Sequence, residues 1–164
     1  MIAKTYITRN LERLNTAYVR AKSPTIAFFV SKVSILELCG WIEMSMDDII
    51  IKHSARKLGL SSNHKFIEND VVKRTYGFDY DKHFRSMLIR LVGIITTEMI
   101  EQKMDAAVQA KFKAELQSLK TIRDTLAHTY ARNFPPIDAP LTTKARFTPL
   151  YAGLLAYDAA LRAL

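Results

Sequence analysis

Apolar and polar positions follow a helical period along most of the chain, and the spacing predicts six helices. The first spans Lys4–Lys22, with Ile7, Leu11, Leu14 and Val19 on one face and Arg9, Glu12, Arg13 and Arg20 on the other. Ser23-Pro24 ends it and starts the second, because serine caps a helix N-terminus and proline suits the first helical position. The second helix, Pro24–Leu58, is apolar around most of its circumference, as a central helix or one covered by a partner subunit would be. A shorter basic helix is expected over Asn63–Thr75, followed by a turn at Tyr76-Gly77. A fourth fits Asp81–Gln102, carrying Phe84, Leu88, Leu91, Ile95 and Met99. A fifth fits Asp105–Tyr130, carrying Val108, Phe112, Leu116, Leu119, Ile122 and Leu126. A loop, "ARNFPPIDAPLTTKARF", then leads to Thr148-Pro149, which repeats the Ser-Pro signal and is expected to open a last helix, Pro149–Leu164. No repeat, low-complexity tract or linker divides residues 1–164, so the expectation is one all-α domain, a bundle of five to six helices around a long second helix.

Composition supports a folded chain: 164 residues with 49% hydrophobic content suffice for a packed core. The most apolar run, Ile26–Ile42, is 17 residues long and is broken by Lys32 and Glu37. It reads as a buried helix rather than a membrane span. Met1–Asn10 has no apolar signal-peptide core, and the single Cys39 cannot form an internal disulfide. A cytoplasmic protein is the expectation.

Charge changes the picture. The net charge is +8, which attracts polyanions. Between Lys52 and Arg90 nine Lys/Arg face four acids, interleaved with His64, Phe66, Tyr76, Phe78, Tyr80, His83 and Phe84. Cations that hold phosphates beside rings that stack on bases would suit RNA; the plainer reading is a solvated hairpin with core aromatics. Other chemistries lack their residues. No glycine-rich phosphate loop or GxSxG elbow occurs, and no two histidines stand three or four apart. Asp47-Asp48 reads as solvated helix surface sooner than as a metal site, and Cys39, among apolar neighbours, as an inert thiol. No cofactor and no metal is expected.

The stretch Thr121–Tyr130, "TIRDTLAHTY", is the chemical candidate. On a regular helix Arg123 and Tyr130 share a face, Asp124 and His128 are one turn apart, and Arg123 and His128 diverge by about 140°. Cleaving RNA without a metal needs a base for the 2′-OH, a cation for the negative phosphorane and an acid for the 5′-oxygen. Histidine suits the proton transfers and arginine the phosphoryl charge. Asp124 would orient His128. One histidine per chain supplies one proton-transfer group, so two chains would supply both.

"RDTLAHTY" resembles the R-x4–6-H motif of the HEPN superfamily, small helical ribonucleases of toxin–antitoxin and phage-defence systems. Arg123-x4-His128-x-Tyr130 is similar to the variant of HEPN toxins paired with nucleotidyltransferase antitoxins, which adenylylate the tyrosine. The resemblance implies a homodimer, a cleft shared between protomers, metal-independent endoribonuclease activity with Arg123 and His128 catalytic, and modification of Tyr130. It also implies an acid on the long second helix touching Arg123, for which Glu37 and Glu43 both qualify. Asp124 stands where many members have asparagine. Lys120, Arg132, Lys73 and Arg74 are the cations expected to hold RNA. Some members of the superfamily are inactive, and a non-catalytic basic module that binds nucleic acid or a protein partner is the competing expectation.

Overall fold

Helix α1 (Thr5–Val19) buries Ile7 and Leu11 against α2 (Pro24–Lys57). Val19, expected on that inner face, is 75% exposed: it is the last residue of α1, where the chain turns away. The Ser23 hydroxyl accepts a hydrogen bond from the Ile26 N–H at 3.3 Å, and Pro24 takes the first position of α2. At 34 residues α2 is roughly 50 Å long. In this computed structural model, which describes residues 2–128 and 136–164, α1, α6 (Ala106–His128) and α7 (Pro140–Arg162) all pack on α2. Among the described residues α2 alone is long and apolar enough to cross a membrane. Its buried side chains, from Phe28 through Leu38, Ile42 and Met46 to Ile50, lie in the common core instead.

Beyond α2 the chain forms α3 (Ser61–Phe66), which widens into a π-helical stretch over Ile67–Val72. A second π-helical stretch, Tyr80–Phe84, is capped by Asp79, whose carboxylate accepts from the Lys82 N–H. It continues into α4 (Arg85–Val92), and α5 (Ile94–Lys103) follows. The single helix expected over Asp81–Gln102 is thus divided. Gly93, at φ 83°, takes a conformation open to glycine and costly for other residues, and stops α4. The break resets the helical phase. Ile95 and Met99, expected in the core, are exposed, and Thr97 and Ile100 are buried in their place. The described residues therefore hold seven α-helices and no strand, where six helices were expected.

Helix α6 begins where Asp105 caps it through the Val108 N–H at 2.9 Å. Phe112, Leu116, Leu119 and Leu126 lie in the core, as their spacing predicts. The last helix begins nine residues earlier than expected, at Pro140, and holds Pro149 inside it. Pro149 leaves the Ala145 carbonyl without its helical donor, but Ala145 is exposed and solvent reaches that group. Tertiary contacts secure the early turns. Thr143 is buried against Ser34, and Phe147 and Tyr151 stack beside Trp41. Arg146 reaches Glu115 and Ser118 on α6 and Asp138 just before α7.

Helices α6 and α7 pack closely at Gly153. A methyl group there would fall 2.3 Å from Cγ of Phe112. Gly153→Ala is expected to push the helices apart and cost about 1–3 kcal/mol, read as a lower urea midpoint. An unchanged midpoint would mean that α7 does not sit against Phe112.

Candidate functional site

The apolar face of α6 leaves Arg123 and Asp124 half-buried, turned toward α2 and the turn after Val72. Arg123 Nη2 lies 3.6 Å from Glu43 Oε1, and its Nε lies 3.5 Å from Asp124 Oδ1. Both separations exceed a good hydrogen bond, so these are ion pairs that hold the guanidinium loosely. Beneath it lies the ring of Phe78, its centroid 5.4 Å from Cζ, a cation–π arrangement on a fully buried platform. The acid on α2 that meets the arginine is therefore Glu43. Glu37 sits six residues earlier, about 120° around the helix from Glu43. It is exposed and accepts a hydrogen bond from Asn10 of α1 at 3.2 Å, far from this grouping in the fold.

A cavity of about 460 Å³ opens beside Arg123, lined among others by Glu43, Asp47, Lys73, Thr75 and Tyr76. Its far wall is the turn that carries Gly77. Gly77 has φ 120°, and a methyl group there would fall 2.7 Å from Cε1 of His83. That ring is fixed, since its Nδ1 accepts from the Asp79 N–H at 3.0 Å. The same methyl would come within 3.6 Å of Arg123 Nη2. Glycine thus lets the turn pack against His83, with Arg123 at ordinary contact distance.

The expected RNA-holding cations do not all meet here. Lys73 borders the cavity while pairing with Glu68 and Asn69. Lys120 lies one turn before Asp124 and binds its carboxylate at 3.3 Å. Arg74 is 73% exposed at its side chain and pairs with Asp70 on its own helical stretch. Tyr130, Arg132 and the side chain of His128 lie outside the described residues, and so does the expected pairing of Asp124 with His128. The Asp124 partners that are described are Lys120 and Arg123.

Most of the interleaved aromatics serve the core. Phe78, Tyr80 and Phe84 are buried, while Tyr76 is 83% exposed and Phe66, beneath Arg90, is half exposed. Sequence reasoning missed three contributors: Phe78 as the platform, Gly77 as the point of close approach, and Asp47 as a wall of the cavity. The turn expected at Tyr76-Gly77 was the one available signal.

The two acids of the Asp47-Asp48 pair part ways. Asp48 is exposed and bridges to Lys52, whereas Asp47 faces the cavity with no hydrogen bond or ion pair among the described residues. Burial, with the charges of Glu43 and Asp48, pushes the Asp47 carboxyl up to about 6. A raised carboxyl binds its proton more tightly in the folded state. Stability from this group is therefore greatest below about pH 4 and declines as the pH rises to about 6. Asp47→Asn removes the charge and is expected to stabilise the fold by about 1–2 kcal/mol at pH 8 and by almost nothing at pH 4. Urea titrations at the two pH values check this, and an equal or negative shift at pH 8 would contradict it.

Cys39 is the other perturbed group nearby. Burial pushes its thiol up to about 12, only partly opposed by Arg123, so at neutral pH it is protonated, the weakly nucleophilic form. Among the described residues no three His, Cys, Asp or Glu side chains group as a metal site requires. Comparison of the chain with protein-family models, with curated proteins and with solved structures gives no match.

Proposed function

We propose that this chain is a metal-independent endoribonuclease of the HEPN type, a toxin or phage-defence effector that acts in the cytoplasm as a homodimer. The observation that carries the reading is the seat of Arg123. Two carboxylates and the Phe78 ring hold its guanidinium at the edge of a solvent-open cavity, five residues before His128 at the end of α6. A planar cation beside space for a phosphodiester is what the phosphorane needs. In the proposed reaction the 2′-oxygen bonds to phosphorus and the P–O5′ bond breaks. The His128 of one protomer takes the 2′-OH proton, and the partner's His128 gives a proton to the 5′-oxygen. Exposed apolar side chains along α2, Ile26, Val33, Leu36 and Met44, supply a face that a second copy can cover. In this reading a nucleotidyltransferase-type antitoxin silences the enzyme by adenylylating Tyr130.

The test is incubation of the purified protein with single-stranded RNA in EDTA, with the mass in solution measured alongside. A dimer that cuts RNA supports the proposal, and a stable monomer without cleavage overturns it.

One observation favours the second reading, a non-catalytic basic module that binds nucleic acid or a protein. The Arg123 charge is already met by Glu43 and Asp124. A module of that kind would bind RNA with strong salt dependence, and binding would survive the loss of His128.

A further inference from the structure

The cavity beside Arg123 has more room and more chemistry than a phosphate requires. Its lining mixes charges. Arg123 and Lys73 offer cations that already stand beside the carboxylates of Glu43 and Glu68, and Asp47, one turn of α2 after Glu43, adds a further carboxylate. A lone phosphate would be repelled by that further carboxylate. Glu43 is occupied with Arg123, which leaves Asp47 as an acceptor facing the cavity with no described partner. Tyr76 stands on the same lining, 83% exposed, on a turn whose conformation Gly77 sets. An exposed ring on a shaped turn, a carboxylate within the recess and a lysine beside it form the parts of a nucleotide site: a surface for stacking, a hydrogen-bond reader and a phosphate contact.

The reader's chemistry narrows the base. An ionised carboxylate only accepts hydrogen bonds, through two oxygens. Guanine presents two adjacent donors, its N1–H and its 2-amino group. Adenine and cytosine each set one amino group beside a ring nitrogen that accepts, and uracil sets one N–H between two carbonyl oxygens. Those three edges place an acceptor against a carboxylate oxygen, which costs binding energy.

We propose that the recess formed by Asp47, Tyr76 and Lys73 is a guanine subsite for single-stranded RNA. Tyr76 stacks on the base, Asp47 accepts from its N1–H and 2-amino group, and Lys73 meets the adjoining phosphate. The inference rests on the reading of the chain as a ribonuclease and adds to it a base preference next to the cleaved bond.

Two measurements test it and keep the two readings apart. Titration of the protein with the four ribonucleoside 3′-monophosphates reads the subsite without any turnover. 3′-GMP is expected to bind at least about tenfold more tightly than the other three. Asp47→Asn should remove that preference, and Tyr76→Ala should weaken all four by about five- to a hundredfold. Tyr76 is exposed and Asp47→Asn removes a destabilising charge, so both variants are expected to fold. Equal binding of the four nucleotides, no binding of any, or a guanine preference that survives in Asp47→Asn overturns the subsite. The second measurement maps cleavage in an RNA of mixed sequence. Cuts at a constant offset from guanine, scattered by Asp47→Asn, support the proposal. Cuts with no base bias overturn the subsite and leave the ribonuclease standing. A guanine preference in binding with no cleavage supports the subsite and overturns the ribonuclease.

Discussion

Arg123→Ala is expected to lower the rate of RNA cleavage by about a hundred- to a thousandfold, the range seen when one preorganised charge-stabilising donor is removed from an active site. In the proposed reading the side chain needs little rearrangement for that task, since Glu43 on α2, Asp124 on α6 and the buried Phe78 ring all lie beside its guanidinium. Arg123→Lys should recover little, because an ammonium has neither the planar fork that matches two phosphate oxygens nor the same face for the Phe78 ring. His128→Ala is expected to cost about 10²–10⁴ in rate through loss of proton transfer. Arg123→Ala should not move stability much. The Arg123 ion pairs are long and partly exposed, and pairs of that kind contribute about 0–1 kcal/mol. Cleavage rates with thermal melts of the same preparations check the prediction. A rate loss that tracks unfolding would remove Arg123 from the chemistry.

The largest expected effect on stability lies elsewhere, at Glu101 of α5. Its carboxylate accepts hydrogen bonds from Arg85 at 2.9 and 3.3 Å and from the Tyr80 hydroxyl. Tyr80 in turn meets the Tyr157 hydroxyl at 2.5 Å, and Gln109 donates to Tyr157 at 3.2 Å. One network therefore ties the Tyr80–Phe84 stretch, α4, α5, α6 and α7 together, with the Phe84, Phe112 and Tyr157 rings packed around it. Glu101→Ala leaves Arg85 without its carboxylate and the Tyr80 hydroxyl without that acceptor. The expected cost is about 3 kcal/mol, toward the low end for a buried ion pair because Arg85 is partly exposed. Glu101→Gln, which keeps an acceptor and the shape, should cost less.

The pH dependence has a definite sign. Burial alone would raise the Glu101 carboxyl, but the hydrogen bonds from Arg85 and Tyr80 outweigh it and hold the group below its usual range. Its contribution is complete above the unfolded value of about 4.3 and is lost as the pH falls through the lower folded value. The gap in urea midpoint between wild type and Glu101→Gln should therefore narrow in acid. A gap that widens in acid would contradict the network.

Local signals carried the helices that start with a cap. Ser23-Pro24 and Asp105 each sit where their hydrogen bonds are made, and the apolar spacing of α6 matches its buried face. Gly93 and Pro149 show where local reading stops. A lone glycine in a helical pattern is usually tolerated, and here it breaks the helix because its φ is positive. A proline after threonine usually starts a helix, and here Thr143 and Phe147 are already packed as helix before it. At the candidate site, the contact of Arg123 with Asp124 was legible because the two are neighbours in sequence. The choice between Glu37 and Glu43 was not, since it depends on which face of α2 meets α6. Asp47 and Gly77, which share the cavity lining with Arg123, and Phe78, which lies under its guanidinium, come there only through the tertiary fold, from segments some 45 to 76 residues away in sequence.

The central claim is transesterification by a site built on Arg123 and His128, and the ends of the cut RNA report on it most directly. RNA cleaved in EDTA by the wild-type protein should carry 2′,3′-cyclic phosphate and 5′-hydroxyl ends, and the Arg123→Ala and His128→Ala preparations should yield almost none. Ends bearing 3′-hydroxyl and 5′-phosphate, or cyclic-phosphate ends formed equally well by both variants, would contradict it.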